Sequence, residues 1–343
     1  MSSEQPEGRK SGYLRQGEGE ALLLAVPPLA VVVLAQLLFE LSAFDLVALG
    51  QEVAAHIGTL GPLDLPGRLE AADERTLWIL SVFLNFCPGI ALTIVAVIIL
   101  SRSVHERGVR FFVPITLVLI VGGIGSFIYA SASQSPLSGL FSFTYGSISA
   151  APGFTEGFLG LAKLTVVLLN GLSIVAPVTA LMAACSTLAP PREGVVADIK
   201  FLSSQVKSLK ALVVIGSIYM VTGVVNLGVW LRWPAMMVDD EALAAQILNN
   251  ALAMSVYWGG AFTVLIAAFY APTMVALNKR AEAAITQLPD STGGLTPKKF
   301  LEDHGLSLQV SKQLPQIAAV LAPLLAGPIG TAVIDLSKAL PTG

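Results

Sequence analysis

Charge, histidine and cysteine are all scarce in this sequence, and each shortage excludes a class of protein. Only 13% of the 343 residues are Asp, Glu, Lys or Arg, against 54% hydrophobic residues and a mean hydropathy of +0.75. Soluble domains carry about 25% charged residues. So few charges cannot cover an aqueous surface, which rules out a soluble enzyme. The net charge is −3 and the basic residues form no stripe, so nucleic acid is excluded as a partner. The two cysteines, Cys87 and Cys185, both fall inside apolar blocks. They supply neither a disulfide framework nor a zinc site and read as small core residues.

The three histidines, His56, His105 and His304, lie outside every long apolar run. Their positions remove haem ligation by paired membrane histidines, an intramembrane zinc site and a buried serine–histidine dyad. No His-Glu-x-x-His or Gly-x-Ser-x-Gly motif occurs, no phosphate-cradling glycine signature is present, and no two spans each carry an aspartate. The expectation is a protein that is not an enzyme and takes no cofactor or metal.

What the sequence does have is apolar length. Six runs, at 21–41, 77–100, 111–131, 159–188, 211–231 and 251–278, are long enough to cross a hydrocarbon core about 30 Å thick. Prolines interrupt all but the fifth, which suits a packed bundle whose helices satisfy one another's freed carbonyls. The first run is longer than the roughly 7–15-residue core of a signal peptide and no small-x-small site follows it, so it is read as a retained span. The fold expected is an all-α polytopic membrane bundle. Residues 1–20 form a cytoplasmic N-terminal segment, 21–278 the six-helix domain, and 279–343 a cytoplasmic tail with short helices.

Orientation follows from Lys and Arg. Sixteen of the 20 fall in the N-terminus, 101–110, 189–210 and the tail, and only three in 42–76, 132–158 and 232–250. Both termini are therefore expected in the cytoplasm, and the Ala/Leu/Val/Gly-rich make-up fits a bacterial inner membrane. The apolar run 316–334, broken by Pro323 and Gly327-Pro328, is long enough for a seventh span. The expectation favours a broken helix at the cytoplasmic face.

Between the spans, 42–76 reads as an acidic, solvated loop with Glu70, Asp73 and Glu74 near its end. The stretch 132–158 is without charge up to Glu156 and reads as a re-entrant or interfacial segment resting on the bundle. Residues 195–210 place Val196, Ile199, Leu202, Val206 and Leu209 at helical spacing, giving an amphipathic helix on the inner leaflet or against the tail. Thr296, Pro297 and Gly305 mark a short tail helix by cap, first turn and stop.

Two sets of residues stand out as candidate functional positions. In the sixth run Ser255, Gly259, Thr263, Ala267 and Ala271 recur every four residues, a narrow small-residue face suited to close helix packing within the chain or between copies. Glu40, Asn85, Lys163, Asn170 and Asn226 are the stronger polar groups at membrane depth, contributed by four spans. Polar side chains in lipid generally face a bundle interior or water cavity, so they are expected to form one outward-facing polar pocket, with Lys163 paired to Glu40, Glu156 or Asp45. That pocket points to movement of a small solute or ion. The competing reading is a non-transporting scaffold, sensor or effector subunit acting through helix contacts and the tail. The lipid bilayer is the one partner implied outright; a second copy or another membrane or cytoplasmic protein is compatible.

Overall fold

The apolar runs are helical. The computed structural model describes residues 21–42, 46–60, 65–103, 106–133, 135–188, 195–286 and 310–339. Among these residues there are nine α-helices and no strand: α1 (Val26–Leu41), α2 (Leu46–Thr59), α3 (Leu65–Ser103), α4 (Glu106–Ala132), α5 (Pro136–Ala150), α6 (Glu156–Ser186), α7 (Val195–Arg232), α8 (Glu241–Thr286) and α9 (Val310–Ala339). A 3-10 turn, Trp233–Met236, joins α7 to α8. Six segments are long and apolar enough to cross a membrane: Ala21–Leu41, Ala72–Ser103, Phe111–Ala132, Glu156–Ser186, Phe201–Met236 and Glu241–Ala283. Each coincides with one of the six expected runs. The protein is an all-α integral membrane bundle.

Local chemistry sets the helix ends. Pro27 and Pro28 sit in the first turn of α1 and Pro136 opens α5, positions where a missing amide costs no helical hydrogen bond. Thr155 caps α6 by accepting the Phe158 amide at 3.3 Å. Asp240 starts α8 by accepting the amides of Ala242 and Leu243 at 2.8 and 3.1 Å. The chain turns between α5 and α6 at Gly153, whose φ of +119° disfavours any residue with a Cβ.

Packing centres on the C-terminal half of α6. Residues 179–188 are buried on every face, as befits a helix apolar all round. Small side chains (Ala180, Ala183, Ala184, Cys185) let neighbours approach, and the cluster around them includes Leu92 and Ala96 of α3, Phe112 of α4, Leu209 and Leu212 of α7, and Met274 and Leu277 of α8. The segment 195–210 is not a separate surface helix. It is the start of α7, 38 residues long, and its stripe of Leu202, Val206 and Leu209 is buried in that same cluster. The correction has a simple cause: nothing between Lys210 and Ala211 breaks the helix, so the stripe is carried straight into the span.

The two stretches between spans are also helical. The 132–158 segment forms α5, which packs on α2 in parallel. A Cβ on Gly50 would lie 2.9 Å from the Phe143 Cα, and one on Gly139 would lie 2.5 Å from the Leu46 Cβ, so the two glycines set the contact distance. The Thr144 hydroxyl donates to the Trp230 carbonyl at 2.8 Å and the Trp230 indole donates to the Leu140 carbonyl at 3.1 Å, fixing α5 to the end of α7. His56 Nε2 and Asp239 Oδ1, 3.1 Å apart, tie α2 to the segment ahead of α8.

The tail differs most from expectation. In place of short helices, residues 310–339 form one helix of 30 residues despite Pro315, Pro323 and Pro328. It lies antiparallel along α8 and beside α7. A Cβ on Gly259 would fall 2.4 Å from the Pro323 carbonyl oxygen, and one on Gly327 would fall 2.9 Å from Ser255 Cβ. The Leu324 amide donates to the Thr263 hydroxyl at 3.2 Å. Pro323, Ala326 and Gly327 are buried against the bundle, while Leu314, Ile317, Leu321 and Leu325 form an exposed apolar face. The short helix expected around 296–305 lies outside the described residues.

Candidate functional site

The five polar residues are placed at three different locations and do not form one pocket. Asn85 and Asn226 belong to a ladder between antiparallel α3 and α7. The Ser81 hydroxyl, 2.9 Å from Asn226 Oδ1, is also 2.8 Å from the Trp78 carbonyl of its own helix. One turn along, the Thr222 hydroxyl is 3.3 Å from Asn85 Oδ1 and 2.9 Å from its own helix's Tyr219 carbonyl, so each hydroxyl proton is shared between an interhelical and an intrahelical acceptor. Polar groups that are costly in lipid thus face one another between helices. Interhelical hydrogen bonds in membranes couple by about 0.6 kcal/mol on average and at most about 1.7. A double-mutant cycle on Ser81→Ala and Asn226→Leu, read as unfolding free energy in detergent, is expected to give a coupling of that size.

Lys163 is exposed on α6. Among the described residues it makes no ion pair with Glu40 or Glu156, which corrects the expected pairing; Asp45 lies outside the described residues. The physical reason is that its long stem lets an ammonium near a helix end reach the interface unaided. Asn170, seven residues further along α6, is half-buried, and its carbonyl accepts the Ser173 hydroxyl at 2.7 Å.

Glu40 sits apart, in a crevice of about 330 Å³. The crevice arises because α1 packs on α8 while α4 packs on α6, leaving a gap between α1 and α4 that the start of α5 roofs. Gln36 and Glu40 line one wall, Ser126, Tyr129 and Ser133 the other, and Ser135 the roof.

An ion pair that the sequence reading missed lies at the same end of the bundle. Glu74 of α3 and Arg232 of α7 approach to 3.5 Å (Oε1 to Nε), with side chains only 2% and 5% exposed. Glu74 belongs to the stretch expected to be a solvated acidic loop, and Arg232 to the segment 232–250. Both are instead inside the bundle because α3 begins at Leu65 and α7 continues to Arg232. An aromatic cluster is built from the same two helices, the 3-10 turn after α7 and α5: Trp78 lies 5.3 Å from Trp230 and 5.8 Å from Trp233, and Phe141 stacks on Trp230 at 5.8 Å. Arg75 lies over the Phe158 ring at 5.8 Å. A sequence signal did exist, since Arg232 is the lone cation of its segment and is flanked by Trp230 and Trp233.

The small-residue face is an internal seam at its middle. Ser255, Gly259 and Thr263 are buried against α9, whereas Ala267 is half-buried and Ala271 exposed. Among the described residues no group of three His, Cys, Asp or Glu side chains is placed to hold a metal ion. The arrangement therefore offers two kinds of chemistry: polar locks between helices, and one carboxylate in an open crevice. No protein-family model matches the chain, and no curated protein or solved structure shows significant similarity to it.

Proposed function

We propose that this integral membrane protein is a non-conducting, non-enzymatic sensor or scaffold that works through helix contacts. The observation that carries the proposal is the burial of residues 179–188 on every face. A route for a solute or ion would have to pass that packed half of α6, and no charged side chain of the described residues marks one. The transport reading loses its main support once the five polar residues are found in a ladder, a crevice and, on α6, as an exposed Lys163 and a half-buried Asn170. α7 and α8, two of the three longest helices, rise about 57 and 69 Å at 1.5 Å per residue. They are continuous from the Glu74–Arg232 and His56–Asp239 contacts to the Lys-rich opposite end. A contact made at one end is thereby linked to the other by unbroken helix, with Pro272 inside α8.

The distribution of Lys and Arg supports a cytoplasmic N-terminus in a bacterial inner membrane. The antiparallel register of Gly259 on Pro323 and Ser255 on Gly327, continued to the end of α9, brings Ala339 level with Leu243 at the start of α8. We read α9 on that register as a seventh crossing, which would put Leu340 on the side opposite the N-terminus. A reporter fused after Leu340 is expected to read external and one after Lys279 cytoplasmic; a cytoplasmic signal at both would remove the seventh crossing.

The functional proposal is tested by flux. Purified protein in proteoliposomes, challenged with a panel of monovalent ions and small neutral and charged solutes, is expected to leak no faster than protein-free vesicles. Flux above that background that is lost on Ala183→Trp would overturn it.

A further inference from the structure

We infer that the α1/α4 crevice is a binding site for a primary ammonium carried by a lipid, with Glu40 as its counter-ion. Glu40 lies at the end of α1, one residue before the helix stops, yet among the described residues its carboxylate has no ion-pair partner. A carboxylate at the edge of a bilayer, half-buried and without a cation, is costly unless a ligand supplies the charge. Around it stand further acceptors. The Ser133 hydroxyl spends its proton on the Ala130 carbonyl at 3.2 Å and so turns lone pairs outward. Ser135 Oγ is buried with no hydrogen-bond partner, and Gln36 supplies an amide oxygen one turn below Glu40. An ammonium has three donors and no acceptor, so this is a complementary set. A phosphate or carboxylate ligand would meet Glu40 with like charge.

The same walls explain why the amine should arrive on a lipid. Val33, Leu37 and Glu40 share one face of α1, and Ser126, Tyr129 and Ala130 share one face of α4 with Ser133 just past its end, so the crevice runs from a polar end down into an apolar channel. Val33 and Leu37 are 56% and 54% exposed, which in a bilayer means exposed to acyl chains. Tyr129, 75% exposed at the rim, is placed as interfacial tyrosines are, with its ring in the headgroup layer. A head at Glu40 with its chain along Val33 and Leu37 fills both halves of the site. A free amine would fill only the first.

The test is thermal stability of the full-length protein in detergent micelles doped with defined lipid. Phosphatidylethanolamine is expected to raise the midpoint progressively, while phosphatidylglycerol, which lacks an amine, and phosphatidylcholine, whose nitrogen has no proton to donate, leave it at the lipid-free value. Glu40→Gln is expected to abolish the increment. Ser126→Phe, which fills the crevice without touching the charge, does the same and keeps the test alive if Glu40→Gln fails to fold. An equal increment from phosphatidylglycerol, or an undiminished one in either folded variant, would overturn the site. An equal increment from water-soluble ethanolamine would overturn its assignment to a lipid. Neither result depends on whether the protein conducts.

Discussion

Arg232→Leu is expected to destabilise the protein by about 3–5 kcal/mol, the cost of removing one member of a buried ion pair. On a bundle of this size that is a fall in thermal midpoint on the order of 10 °C. The effect is large because both side chains are almost fully shielded, so water cannot rehydrate the Glu74 carboxylate in the variant. Glu74→Leu should cost a similar amount from the other side, leaving the buried guanidinium without that carboxylate. The double variant Glu74→Leu/Arg232→Leu removes both desolvation penalties, and most of the loss should return. Strict additivity of the two single effects, read in the same detergent, would mean that the charges do not depend on one another.

Gly259→Ala is the second large effect, and it comes with an internal control. The new methyl would meet the Pro323 carbonyl oxygen at 2.4 Å, the Pro323 carbonyl carbon at 3.1 Å and Leu324 Cα at 3.3 Å. These are backbone atoms, which cannot rotate away as a side-chain end can. Overpacking of this kind costs about 1–3 kcal/mol and occasionally more. α9 would have to lift from α8, which also breaks the Leu324–Thr263 hydrogen bond. At the neighbouring Gly260 the nearest atom to a new Cβ is Leu324 Cδ1 at 3.8 Å, an ordinary contact. Gly260→Ala should be neutral or raise stability by up to about 1 kcal/mol through helix propensity. Equal responses at the two positions would show that α9 does not sit on Gly259.

The spans were legible in the sequence because lipid imposes a single rule, about 20 apolar residues per crossing, that composition alone reveals. The small face at Ser255, Gly259 and Thr263 was legible for the same reason: a four-residue recurrence of small side chains has few uses other than close packing. What covers it was not, because the apolar run after Gln316 carries two prolines and reads as broken. In the fold those prolines stay within one helix, and the Pro323 turn is where it presses on Gly259.

The polar residues misled in a different way. Depth along a helix is readable from sequence, but which way a side chain points around it is not, so Asn85, Asn226, Glu40 and Lys163 looked convergent at similar depth. The structure turns the two asparagines into the α3/α7 ladder, Glu40 into the crevice and Lys163 outward. Glu74 and Arg232 were missed for the opposite reason. Charge counting assigns such residues to water, and only the lengths of α3 and α7 bring them inside.

The closed centre is probed most directly at a native side chain. Cys185, 1% exposed, stands in the packed half of α6, and Cys87 is the only other cysteine in the chain. In a Cys87→Ser background, a charged, membrane-impermeant maleimide applied from either side of native membranes should leave Cys185 unmodified until the protein is unfolded in dodecyl sulfate. Modification of the folded protein at the rate of an exposed thiol, from either side, would mean that water reaches the core of the bundle and would contradict a non-conducting protein.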